Sequence, residues 1–170
     1  MWITTIDLDR RALGVHDEHH RRVSMAGCAR HGGVEPARRQ QLSIAFDHTI
    51  IVSKDHTESA RFFRELFDLP EAESWGPFLN VQLDDGTLIQ FATPPFEEIQ
   101  YQHYAFRVDD ALFDDAYARL HDWGVEHWAD PQMTQPKMIN HGHGGRGVCF
   151  RDPTGHFFEM LTKSYLGGVE

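Results

Sequence analysis

The heptapeptide FDHTIIV, residues 46–52, is echoed by QHYAFRV, residues 102–108. Both are short apolar runs rich in β-branched or aromatic residues, which read as strands. Each carries a histidine near its start, His48 in the first and His103 in the second. The chain beyond each run matches as well: a polar break, an amphipathic stretch, then a tryptophan, Trp75 after His48 and Trp128 after His103. A duplicated module explains the echo. Equivalent positions in two copies are related by a pseudo-twofold axis, so His48 and His103 can meet across it. A third residue of metal-ligand type, Glu159, lies in the closing strand-like run HFFEMLT, residues 156–162. Two neutral imidazoles and one carboxylate form a facial set that leaves coordination positions open, as catalytic metal sites do.

The first module runs from Leu42 onward. LSIAFDHTIIV suits a strand covered on both faces, with Asp47 and His48 as polar exceptions. In SKDHTESARFFRELFDLP, Asp55 or Thr57 caps a helix, Phe62, Phe63, Leu66 and Phe67 line one face, and Pro70 ends it. Strands are expected around Glu71–Trp75, Phe78–Leu83 and Thr87–Phe91, the last two joined by a tight hairpin at Asp84-Asp85-Gly86. The order is βαβββ. ATPPFEEIQ, Ala92 to Gln100, reads as the crossover, because adjacent prolines cannot extend a ladder.

The second module repeats the order. Asp109 or Asp110 caps a helix striped by Leu112, Phe113, Ala116, Tyr117 and Leu120, and Gly124 stops it. A strand begins at Glu126–Trp128, a long loop runs from Ala129 to Gly147, and RGVCFRD turns through Asp152-Pro153-Thr154-Gly155 into HFFEMLT. The expected class is α+β, with two tandem βαβββ modules forming a cupped mixed sheet: module 1 at about 44–93 and module 2 at about 101–163, within one domain spanning 42–165. Residues 1–41, crowded with Arg10, Arg11, Arg21, Arg22, Arg30, Arg38 and Arg39 and without sustained periodicity, read as a flexible extension, and 166–170 as a tail.

At 170 residues with 41% hydrophobic content, the chain buries one good core and a second full domain is not expected. A net charge of −10 argues against nucleic acid as a partner, since phosphate binding needs a basic face. No stretch approaches the roughly 20 apolar residues that cross a bilayer, and the N-terminus lacks the order of a secretory signal, so the reading is cytoplasmic with no membrane partner. The two cysteines, Cys28 and Cys149, make no disulfide framework and are read as reduced.

The paired modules, QHYAF opening the second and FRDPTGHFFEMLT closing it resemble the vicinal oxygen chelate superfamily of glyoxalases, bleomycin-resistance proteins, extradiol dioxygenases and fosfomycin-resistance transferases. The similarity spans about Phe46 to Thr162. It implies that His48, His103 and Glu159 hold one divalent metal per site, Fe(II), Mn(II), Ni(II) or Zn(II). Glyoxalase I adds a fourth ligand late in module 1, where this chain's TLIQFAT offers Gln90, a weaker ligand and a poor proton acceptor. That disfavours an isomerase. Extradiol dioxygenases place a tyrosine where this chain has Cys149, and the fosfomycin transferases a serine-containing loop where it has NHGHGGRG.

NHGHGGRG, Asn140 to Gly147, is the most unusual local string. It reads as a lid whose His141 and His143 act in proton transfer and whose Arg146 binds an anion at the mouth of the site. Gln90 and Cys149 are further candidates for contact with substrate, whereas Arg151 and Lys163 read as solvated strand-end charges. The expected function is a metal-dependent enzyme acting on a small oxygenated substrate by dioxygenase, lyase or thiol-transferase chemistry. The alternative is a metal-free protein that sequesters a drug or metabolite in the same cup. Cupped modules with exposed sheet edges predict a homodimer.

Overall fold

Asp55 starts the first helix by accepting hydrogen bonds from the backbone amides of Thr57 and Glu58 at 2.9 and 3.1 Å, which satisfies two of the amide groups a helix start leaves bare. This helix, α1, is His56–Leu66 and comes after strand β1, His48–Val52. It stops short of Pro70: Phe67 is its cap, and Asp68 takes a positive φ of 55° that turns the chain away. The computed structural model describes residues 44–166, so the expected extension, 1–41, and the tail beyond 166 lie outside the described residues. Among the described residues, no helix is long and apolar enough to cross a membrane.

After α1 come β2 (Glu73–Trp75), β3 (Phe78–Gln82) and β4 (Leu88–Ala92). The second module contributes β5 (His103–Arg107), α2 (Asp110–Asp122), β6 (His127–Trp128), β7 (Gly147–Arg151) and β8 (Phe157–Leu161). Asp109 caps α2 through the Leu112 amide at 2.8 Å, and Gly124, at φ 67°, terminates it as expected. The two βαβββ modules are as the sequence predicts. Each makes its own four-stranded mixed sheet, ordered β1-β4-β3-β2 and β5-β8-β7-β6, so that β1 and β5 are both edge strands. The β3–β4 hairpin is wider than a two-residue turn: Leu83 and Thr87 pair across it, and Gly86 alone has a positive φ, 89°. Asp85 instead ties its carboxylate to the Thr87 amide, which favours a longer loop closed by one left-handed glycine.

One core serves both modules. Phe63 of α1 is fully buried, and its ring meets Phe91 of β4 at 5.7 Å, Phe106 of β5 at 5.0 Å and Phe158 of β8 at 5.9 Å. Arg119 of α2 adds a polar tie by donating to the carbonyl of Leu66 at the end of α1, 2.9 Å away.

The DPTGH turn between β7 and β8 is a joint between the modules. His156 is buried; its Nδ1 accepts from the Gln102 amide at 3.0 Å while its Nε2–H donates to the Val52 carbonyl at 2.8 Å. Thr154 Oγ1 accepts from the Lys54 amide at 3.1 Å and lies 3.3 Å from Ser59 Oγ. Asp152 shapes the turn by accepting from the Gly155 and His156 amides, both at 2.7 Å. Burial pushes its carboxyl upward, against the pull of His156 and the backbone amides. A His156→Ala variant removes both hydrogen bonds and a buried ring, and is expected to lose about 2–3 kcal/mol of stability in urea denaturation. A loss below about 0.5 kcal/mol would mean that the joint contributes nothing.

Candidate metal centre

Strand register places the candidate ligands on equivalent positions of the two sheets. In module 1, Gln90 of β4 lies opposite Ile50 of β1 and Asn80 of β3. In module 2, Glu159 of β8 lies opposite Ala105 of β5 and Cys149 of β7. His48 and His103 each open their strand two residues before those rows, opposite Leu88 and Phe157. Partners directly across a ladder share a face, as do residues two apart along a strand, so each histidine shares a face with its Gln90 or Glu159. The opposite face of module 2, with Phe106, Phe158, Met160 and Phe150, carries the core.

His103 and Glu159 come together: Nε2 of the imidazole is 3.2 Å from Oε2 of the carboxylate. Glu159 is buried at 3% exposure, whereas the His103 side chain is 44% exposed. Burial pushes the Glu159 carboxyl up, but hydrogen bonds from His103 and Tyr165 outweigh it and hold the group below its ordinary value of 4.5. It is therefore an anion at neutral pH. The phenol of Tyr165 donates to the other carboxylate oxygen, Oε1, and its own ionisation is pushed up by burial and by that neighbouring charge. Tyr165 is the residue a sequence reading misses, because it lies beyond the closing strand in SYLG, where nothing in the pattern marks it.

His48 stands apart from this pair. Its Nδ1–H donates to Asp47 at 2.7 Å, which leaves Nε2 free, and it sits exposed at the start of an edge strand. A carboxylate on the far nitrogen is the arrangement that orients metal-binding imidazoles. Among the described residues of one chain, no three or more His, Cys, Asp and Glu side chains lie close enough to hold a metal ion. The donor set still suits one: an imidazole nitrogen and a charged carboxylate are already adjacent, and both fit Fe(II), Mn(II), Ni(II) or Zn(II).

The remaining candidates divide. Of the lid histidines, His143 packs its ring edge-to-face on Tyr165, with centroids 4.9 Å apart, while its backbone takes a positive φ of 54°. His141 is exposed and precedes the short 3-10 turn Gly142–Gly144, making no side-chain cap. Gly147 is required where it is, because a Cβ there would come within 2.8 Å of the Asn140 amide, which donates to the Ala129 carbonyl and anchors the loop. Arg146 does not face the site mouth as expected. Its guanidinium pairs with Asp110 at 2.8 Å and with Asp114, and lies 4.6 Å from the Phe113 ring, so it clamps the lid to α2. Two carboxylates on adjacent turns of α2 compete for it more strongly than solvent does.

Cys149 is buried, and burial, then Glu159 and Asp130, push its thiol up to about 12, which leaves no thiolate at neutral pH. Gln90 donates from Nε2 to Asn80 at 2.7 Å, so its carbonyl oxygen is the atom left for the face it shares with His48. Arg151, expected to be a solvated strand end, is instead half-buried with its guanidinium 4.8 Å from the Phe157 ring.

The superfamily profile described as Glyoxalase/Bleomycin resistance protein/Dioxygenase superfamily matches residues 45–160. The chain belongs to this superfamily. No curated protein matches it. Among solved structures, the superfamily protein named Oxidase ChaP-H1 is 40% identical with a TM-score of 0.71, covering 74% of this chain and 100% of that one. Oxidase ChaP-H2 is 38% identical with a TM-score of 0.71, over 75% and 100%. The fosfomycin resistance protein FosX from Mesorhizobium loti is 23% identical with a TM-score of 0.52, over 74% and 96%, and shares the superfamily fold.

Proposed function

We propose that the chain is a metal-dependent oxidase or dioxygenase of the superfamily, acting on a small oxygenated molecule, with a site assembled between two copies. The observation that carries the reading is the division of the ligands. His103 and Glu159 already converge at 3.2 Å, while the register-equivalent His48 waits on an exposed edge strand with Nδ1 tied to Asp47. Within a dimer, His103 and Glu159 are joined by His48 of the partner subunit. Beside β1 lies an open cleft of about 500 Å³ lined by residues that include Ile50, Phe96 and Tyr104, of which Ile50 and Phe96 are 43% and 57% exposed overall. This cleft includes neither His103 nor Glu159, so it suits the approach of a second chain better than the chemistry. Oxidation is preferred over isomerisation because the relative with 40% identity is named an oxidase and because Gln90 is a poor proton acceptor.

His103, Glu159 and His48 of the partner subunit would hold a divalent ion, which would supply Lewis-acid stabilisation of negative charge developing on substrate oxygens. The protein's own part is to orient and to exclude. Asp47 sets the tautomer of His48, Tyr165 fixes the Glu159 carboxylate through Oε1, and His143 closes over Tyr165 from the lid.

Full-length protein should lose one site metal per chain in either His48→Ala or Glu159→Ala, beyond whatever the histidines of the first forty residues retain. Unfolding the two variants together and refolding them should restore roughly one quarter of the wild-type site, since half the dimers are mixed and each mixed dimer holds one intact site. No recovery would overturn the shared site. Equal metal content in wild type and both variants would overturn the metal reading and favour a metal-free binding protein.

A further inference from the structure

Arg151 is the one described arginine of module 2 whose position and partners disagree with a role in packing. Register puts it opposite Phe157, which in turn is opposite His103, so the three share one row and one face. That face is the one carrying Glu159, two residues along β8 from Phe157. The guanidinium lies over the Phe157 ring at 4.8 Å, packed on the residue that stands between it and His103 in that row. Among the described residues it has no carboxylate partner. Its Nε–H is buried without any hydrogen bond, and one terminal nitrogen donates only to the sulfur of Met133, at 3.4 Å. A thioether is a weak acceptor, so the buried Nε–H in particular is left without a polar partner among the described residues. Arg107, Arg119 and Arg146 differ: Arg107 lies at an exposed strand end, Arg119 bonds Leu66, and Arg146 is held by two aspartates.

We propose that Arg151 is an anion subsite beside the metal centre, so that the substrate is an enolic or phenolic acid carrying a carboxylate next to its metal-binding oxygens. The inference rests on the metal reading above and deepens it. A planar guanidinium takes a carboxylate through two parallel hydrogen bonds, which would satisfy the buried Nε–H and replace the contact with Met133. Phe157, between Arg151 and His103, offers a flat apolar floor for the conjugated part of such a molecule.

The test is calorimetric binding of 2,3-dihydroxybenzoate and of catechol to the full-length Zn(II)-loaded protein, before and after the metal is stripped. Both place adjacent oxygens on the ion, and only the first adds an ortho carboxylate. Wild type should prefer 2,3-dihydroxybenzoate by about tenfold or more, the size of one charge-assisted contact. Arg151→Met should reduce that preference to within about twofold while leaving catechol affinity unchanged, and Arg151→Lys should keep part of it. A wild type that shows no preference, or binds neither compound, overturns the subsite, as does a preference that survives Arg151→Met. Binding that ignores the metal yet loses its carboxylate preference in Arg151→Met overturns the metal reading and leaves the subsite standing.

Discussion

A Glu159→Gln variant is expected to bind its site metal at least about 100-fold more weakly than wild type while folding almost as well. The substitution keeps the side chain's shape and one carbonyl oxygen, so Tyr165 retains an acceptor and the buried position stays filled. What disappears is the negative charge, and losing a ligand outright should exceed the 10–100-fold that loss of an outer hydrogen-bonding partner typically costs. Competition with a chromophoric chelator measures the affinity; urea denaturation should place stability within about 1 kcal/mol of wild type. Affinity within about threefold of wild type would remove Glu159 from the ligand set. Acid behaviour should separate the two proteins as well. The wild-type carboxyl is held below 4.5 in the fold, so its favourable contribution is present above that pH and is lost as pH falls through the lowered value. The glutamine variant has no such group at this position and should lack that part of the acid-side loss.

Phe63→Ala should be the most damaging single change to the fold, at about 3–5 kcal/mol. The ring is fully buried and reaches strands of both sheets, with further edge contact to Phe67 at 5.0 Å, so its removal leaves a cavity that neither module can close alone. Against a total stability of about 5–15 kcal/mol for a domain, this is a large fraction. Because Phe63 touches Phe91 on one side and Phe106 and Phe158 on the other, unfolding should remain a single cooperative step displaced to lower denaturant. Met138→Ala is the control, since 53% of Met138 is exposed and it lies outside the cleft beside β1, and should shift stability by no more than about 1 kcal/mol. A loss below about 1.5 kcal/mol for Phe63→Ala, or two separate transitions in wild type, would disprove a shared core.

What could be read from the sequence was what repeats locally. Hydrophobic periodicity and caps gave both helices, and the echo of FDHTIIV in QHYAFRV gave the modules, because strand and helix signals lie within a dozen residues. Gln90, singled out because glyoxalase I adds a ligand late in module 1, proves to hold the register position in module 1 that Glu159 holds in module 2. Side-chain employment was not legible. Arg146 lies in a glycine-rich string that suggests a lid, yet its destination depends on Asp110 and Asp114 on a helix far back in the chain. Arg151 looks like a strand end, and only the register against Phe157 reveals which face it joins. Tyr165 and His156 act through partners that no periodic pattern connects to them. The first strand was overextended for a related reason: Ile44 and Phe46 continue the apolar run but remain exposed at 102% and 67%, and among the described residues only the Thr87 hydroxyl bonds to them, at the Phe46 carbonyl.

The joint made by His156 and Thr154 has a polarity. Module 2 reaches out and module 1 receives, at Val52, Lys54 and Ser59, while the corresponding β3–β4 turn of module 1 closes on itself through Asp85 and Thr87. Two copies of module 1 joined in tandem would therefore lack the fastening, however similar their strands. The order of the modules along the chain matters less than that fastening, so a circular permutant opened within the proline-containing crossover and rejoined at the opposite ends should assemble the same pair of sheets. The two halves share their strand order but differ at one turn, which makes them a plug and a socket.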